Sequence, residues 1–203
     1  MSQSKPTLSV FDQFIVQADQ ALRTLAGSAP TPQRSSPAAG TAEGELSEQE
    51  RKHAVGLMRV NHAGEVCAQA LYQGQALTAK LPEVGQQMEE AAAEEIDHLA
   101  WCEERINQLD GSTSRLNPVW YAGSFAIGTI FGNFGEKVSL GFVEETEKQV
   151  VAHIDKHLDK ISPNDKETIE ILKTMREDED LHAQQAVDNG GEGLQIPAKT
   201  IMK

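Results

Sequence analysis

Apolar residues recur along this chain three and four positions apart, the spacing of helices that turn one face to a core. Leu8, Phe11, Phe14, Ile15, Ala18, Leu22 and Leu25 form the first such series and predict an amphipathic helix within residues 1–25. Residues 26–45 interrupt the pattern with Ala, Pro, Ser, Gly and Thr, and read as a flexible linker. Ser47-Glu48-Gln49-Glu50 has the form of a capping box, in which Ser and the Glu three residues on each accept from the other's backbone N–H. It predicts a long helix from about Glu48 to about Lys80; Pro82 then opens a second that ends near Asp110-Gly111. Asn117-Pro118 predicts the start of a third helical region, and Ser162-Pro163 that of a fourth ending at Asn189-Gly190-Gly191. No stretch alternates as a strand would. The expectation is an all-α protein: a four-helix bundle over 46–191, additional short helices, and a tail at 192–203.

Two of the apolar stripes carry acids and imidazoles where a core should be greasy. Val84, Met88, Ala91, Ala92, Glu95, His98, Leu99, Cys102, Ile106 and Leu109 share one face, and Leu172, Met175, Glu179, His182 and Ala186 share another. Each contains Glu-x-x-His, which places a carboxylate and an imidazole one turn apart on the same side of a helix. A lone Glu precedes each pair: Glu65 thirty residues before Glu95, and Glu144 thirty-five before Glu179. Glu65 lies on a stripe with Ala54, Met58, Asn61, Ala68 and Tyr72. This order is the sequence form of a di-iron or di-manganese carboxylate centre inside a bundle. Four carboxylates and two imidazoles make a hard, oxygen-rich shell that suits iron or manganese better than zinc.

A lone Glu-x-x-His carries little information, since a chain this acidic is expected to hold about 0.6 of them by accident. A third copy, Glu50–His53, is set aside because Glu50 has its own work in the capping box. The other two copies fall on apolar stripes, where an unpaired acid is costly. Solvated Glu–His pairs on exposed faces do not account for that. Glu144, Glu145 and Glu147 lie within one turn, and periodicity does not choose among them. Leu140, Glu144, Val151 and Leu158 form one stripe; Val138, Phe142, Glu145 and Ala152 form a competing one.

The length of 203 residues suffices for one domain with a sizeable core. A net charge of −13 disfavours nucleic acid as a partner. Cys67 and Cys102 have no metal-binding spacing and read as buried thiols, and the N-terminus shows no secretory signal pattern, which together suggest a reducing cytosolic setting. Pro118–Gly135 is eighteen residues without a charge. Its glycines make it only moderately apolar, so a helix packed closely against the core is the plain reading, and a membrane span the weaker one.

The run Leu57-Met-Arg-Val-Asn-His-Ala-Gly-Glu65 through Ala76 resembles the first metal helix of the demethoxyubiquinone hydroxylase family in its bacterial form. The likeness continues through Glu94-Glu-Ile-Asp-His98-Leu, Leu116–Gly135, Gly141-Phe-Val-Glu-Glu-Thr146 and Arg176-Glu-Asp-Glu-Asp-Leu-His182, covering about residues 46–190. The resemblance implies a ferritin-like bundle holding two iron ions on Glu65, Glu95, His98, Glu144, Glu179 and His182, with no catalytic residues beyond the ligands. It implies hydroxylation of a polyprenyl benzoquinol late in ubiquinone synthesis, with dioxygen as co-substrate and an external electron donor. It also implies peripheral attachment to the cytoplasmic face of the bacterial inner membrane, where Trp120, Tyr121 and Phe125 would rest at the interface. Other ubiquinone-biosynthesis proteins and a homo-oligomer are further expected partners. Members of the family continue past the fourth metal helix with a longer apolar helix, where Glu192–Lys203 follow here. His62, one turn from Glu65, is the best candidate to support a ligand. Ferritin-type iron storage, peroxide reduction, hydroxylation of a tRNA base and a metal-free helical scaffold are the competing readings.

Overall fold

A computed structural model describes residues 10–25, 32–42 and 44–193. Among them are six helices: α1 (Val10–Leu25), α2 (Glu48–Thr78), α3 (Pro82–Gln108), α4 (Asn117–Asn133), α5 (Glu136–Leu158) and α6 (Lys166–Asp188). Helices α2, α3, α5 and α6 form the bundle, with α2 against α3 and α5 against α6 as its two principal pairs. Helix α4 lies along the outer side of α2, and α1 touches both. Leu8 and the tail from Leu194 onward lie outside the described residues.

The helix starts follow local chemistry. The Ser47–Glu50 capping box forms in both directions, and Ser162 Oγ donates to the other oxygen of Glu50 at 2.6 Å. Glu50 is therefore a cap that also ties the α5–α6 turn to α2. The fourth bundle helix starts later than Ser162-Pro163 suggests. Those residues form a turn, and Asp165 caps α6 by accepting from Thr168 N at 3.0 Å. The third helical region is two helices, because Gly135 has φ +102, a conformation that no helix continues through.

The bundle core is layered. Met58, Trp101, Cys102, Ile106, Ile154, Leu172 and Met175 fill one end, and Tyr72, Val84, Met88, Leu140, Val143 and Ala186 the other. The acidic residues of the stripes sit between these layers.

Helix α2 is buried on two sides, not one. Its second side meets α4 through glycines: a Cβ on Gly74 would fall 2.7 Å from Thr129 N, and one on Gly128 would press into the Leu71 backbone. Several polar side chains of α2 are satisfied by its neighbours. Gln69 Nε2 donates to Ala92 O at 3.0 Å, Tyr121 OH donates to Gln73, and Gln75 Nε2 reaches Ser139 O at 3.0 Å. Tyr121 is thereby turned inward and buried, contrary to the expectation that it rests at an interface, whereas Trp120 is exposed.

In its described part, the linker expected over 26–45 is a strap packed on the bundle. Gln33 N and Arg34 Nε donate to Asp97 at 2.6 and 2.8 Å, Trp101 Nε1 donates to Arg34 O at 3.3 Å, and Ala38 belongs to the core. Composition suggests looseness there, but Asp97 is a buried carboxylate that needs these donors.

Candidate metal centre

Glu65 on α2, Glu95 and His98 on α3, and Glu179 on α6 each present a ligand atom within 4.8 Å of the others, and all four are buried. The stripes place them there: each acid sits at a position that an apolar residue one or two turns away drives into the core. His98 Nδ1 lies 3.1 Å from both Glu95 and Glu179 and 3.7 Å from Glu65. His182 completes the other side, with Nδ1 3.3 Å from Glu179 and 3.5 Å from Glu95. Both imidazoles thus turn Nδ1 to the centre. Each outer nitrogen donates to the acid just before the opposite motif, His98 Nε2 to Asp178 at 2.9 Å and His182 Nε2 to Glu94 at 2.5 Å.

Glu144, expected as the sixth ligand, is not in this group. Its carboxylate pairs with Lys148 at 2.5 Å near the surface. Glu147 is there instead, 1% exposed, accepting from Tyr72 OH at 2.6 Å and facing Glu95 and Glu179. The inward stripe of α5 is Leu140, Val143, Glu147 and Ile154, which neither sequence stripe describes. Two signals could have found it. Glu147 lies seven residues from both Leu140 and Ile154, as Glu65 does from Met58 and Tyr72. It also precedes Glu179 by thirty-two residues, closer to the thirty between Glu65 and Glu95. His62 is buried but meets Asn117 on α4, not a member of the cluster.

The electrostatics are those of a cation site. Burial, and then the facing Glu179, push the Glu95 carboxyl well above the usual range, and the same two causes act on Glu147. Burial would raise Glu179 too, but the His182 and His98 contacts outweigh it and hold that carboxyl below the ordinary value. Burial disfavours charge on His98, yet Asp178 and three surrounding glutamates overcome it and raise its pKa well above normal; His182 is raised to about 9. Without metal the surrounding acids thus favour the charged form of both imidazoles, and metal binding at Nδ1 would release protons. Glu95 Oε1 and Glu147 Oε2 are buried without a hydrogen-bond partner, as oxygens reserved for a metal are. A hard, carboxylate-rich shell of this kind fits iron or manganese. A cavity of about 120 Å³, room for about four waters, borders the His182 side and is lined by Tyr72, Met88, Glu94, Val143 and Gln185.

Comparison with known proteins gives this geometry its context. Residues 47–203 match the family model described as ubiquinone biosynthesis protein COQ7. The chain belongs to that family. It is 53% identical over 196 residues to a 3-demethoxyubiquinol 3-hydroxylase of Chromohalobacter salexigens, covering 97% of this chain and 92% of that protein. It is 55% identical over 201 residues to one from Legionella pneumophila strain Lens, with the same coverage. A third, from Pseudomonas aeruginosa strain LESB58, is 54% identical over 194 residues, covering 96% of this chain and 90% of that protein. Among solved structures, a dodecameric thioferritin from Bacteroides fragilis superposes with a TM-score of 0.58. It is 20% identical, and the match covers 68% of this chain and 84% of that one. That likeness shows a ferritin-like fold. The assembly is a property of that protein.

Proposed function

We propose that this member of the COQ7 family is a 3-demethoxyubiquinol 3-hydroxylase that carries two iron ions on Glu65, Glu95, His98, Glu147, Glu179 and His182. Glu147 replaces Glu144 in the expected ligand set because it is the buried α5 carboxylate that faces the cluster. The observation that carries the reading is the identity of more than half over nearly the full length of proteins with that name. The reaction places one atom of dioxygen on the unsubstituted ring carbon of a 2-polyprenyl-3-methyl-6-methoxy-1,4-benzoquinol and releases the other as water, using two electrons from an external donor and two protons from solvent. The iron pair, when bound, supplies the activation of dioxygen. The chain's own residues would hold that pair in a buried core, orient both imidazoles through Asp178 and Glu94, and keep a proton beside Glu147 on Tyr72 OH.

The substrate's polyprenyl tail belongs in a membrane. No helix among the described residues is long and apolar enough to cross one. A peripheral membrane contact is supported by the exposed face of α4 and its caps, where Leu116, Val119, Trp120, Ile130 and Phe134 meet solvent, and by Phe11, Ile15 and Leu22 on neighbouring α1; the cytoplasmic side of that membrane is the expected one.

The test combines iron analysis with quinone analysis in a bacterium blocked at the demethoxyubiquinone step. Two irons per chain and restored ubiquinone support the reading. Two irons without restoration contradict the hydroxylase and favour iron storage or peroxide reduction.

A further inference from the structure

The two Glu-x-x-His helices brace each other crosswise, but the braces end differently. Glu94, which holds His182, has a side chain 56% exposed at the edge of the small cavity. Asp178, which holds His98, has a side chain 23% exposed and is itself clamped by Arg34 Nη2 at 2.8 Å. Arg34 in turn is fixed from several sides. Its Nε reaches the buried Asp97 at 2.8 Å, its guanidinium lies 4.8 Å over the Trp101 ring, and its own carbonyl accepts from Trp101 Nε1. It sits on the strap before α2, outside the residues that the family model matches.

We infer that Arg34 is a positioning residue of the metal centre, which sets His98 through Asp178. The chain of contacts is short: guanidinium to Asp178, Asp178 to His98 Nε2, and His98 Nδ1 to the cluster. An imidazole ligand is held in one tautomer and one orientation by the acceptor on its outer nitrogen. Asp178 can do this only while its carboxylate stays on His98, and a carboxylate this near solvent has water as an alternative partner. Arg34 removes the alternative: its planar fork spans Asp97 and Asp178 together, which a lysine ammonium cannot do in the same way. The His98 half of the centre is therefore fixed from outside the bundle, and the His182 half is not.

This inference rests on the metal-pair reading above, and the test separates the two. The probe is Co(II), titrated into metal-free protein and followed by its visible absorption and by chelator competition. Wild type should bind two Co(II). In Arg34→Met, which keeps a stem over Trp101, one of the two sites should weaken by about tenfold or more, the range for losing an outer partner of a ligand, and the other should hold. Asp178→Asn leaves the Arg34–Asp97 anchor in place and should weaken the same site, which keeps the question answerable if Arg34→Met does not fold. The double variant should be no worse than the stronger single one, because both act along one path. Loss of thermal stability with both cobalt sites unchanged would make Arg34 a purely structural anchor and overturn the inference. So would equal weakening of the two sites. Wild-type protein that binds no cobalt pair overturns the inference and the metal-pair reading together.

Discussion

The two long sides of α2 are buried by opposite means. On its inner side Met58, Glu65 and Tyr72 face three other helices across a gap wide enough for carboxylates, imidazoles and ions. On its outer side Gly74 meets α4 at backbone contact, with Gly128 and Gly132 answering from the other helix. The inner side repels itself unless cations or protons intervene. The outer side is held by van der Waals contact and by hydrogen bonds such as Tyr121 OH to Gln73. One helix can thus carry a repulsive centre because its other face is locked. Function and stability are divided between the two sides, so substitutions on one should spare the other.

The largest effect is expected on the inner side. Glu147→Ala should abolish activity and lower iron content, whereas Glu144→Ala should retain both, as read by iron analysis and quinone production. The reverse result would restore Glu144 as the ligand and break the account of α5.

Gly128→Val should break the outer side. The added side chain meets the Leu71 backbone, which has no rotamer to yield, and overpacking of this kind costs about 3 kcal/mol. Denaturant unfolding of the metal-free protein should show that loss, and the protein that remains folded should still bind iron. Loss of iron in a stable, folded variant would show that the two sides are not separable.

A smaller effect is expected at the far surface of α4. Trp120→Ser with Phe134→Ser removes two exposed rings and should reduce binding to vesicles of anionic phospholipid several-fold, with solution stability unchanged. Unchanged vesicle binding would move the membrane contact away from α4.

The smallest concerns pH. Burial lowers His62, between α2 and α4, to about 4. An imidazole whose folded pKa lies below its unfolded value contributes stability that is fully present above pH 6.5 and is lost as the pH falls toward 4, where the unfolded chain binds the proton first. Metal-free protein should lose stability from this group across that window, by at most about 1.4 kcal/mol for each pH unit. His62→Gln should flatten the dependence; an unaltered slope would assign it elsewhere.

The bundle was legible because its inner stripes are written in apolar residues at strict spacing. Val84 to Leu109 and Leu172 to Ala186 place Glu95, His98, Glu179 and His182 without ambiguity, and the Ser47–Glu50 cap fixes where α2 begins. The outer side of α2 was less legible, because Gly74 and Gln73 mark it: close backbone approach and an amide that accepts from Tyr121 leave no hydrophobic signature. On α5 the inward face alternates Leu140 and Ile154 with Ser139, Glu147 and His157, so the stripe is thin and three glutamates in one turn compete for it. Distance along the chain decided the rest. Nothing near Arg34 or Asp165 announces that the one reaches Asp97 and Asp178 and the other joins Arg105 inside the core, at 2.7 Å.

The most direct test of the central claim is a turnover of purified, iron-loaded protein with a demethoxyubiquinol, a chemical reductant and ¹⁸O-labelled dioxygen, followed by mass spectrometry of the quinol. The account predicts one labelled oxygen at the ring carbon in wild type and in Glu144→Ala, and none in Glu147→Ala. Iron oxidation without a labelled product in wild type, or label carried by Glu147→Ala and lost in Glu144→Ala, would contradict it.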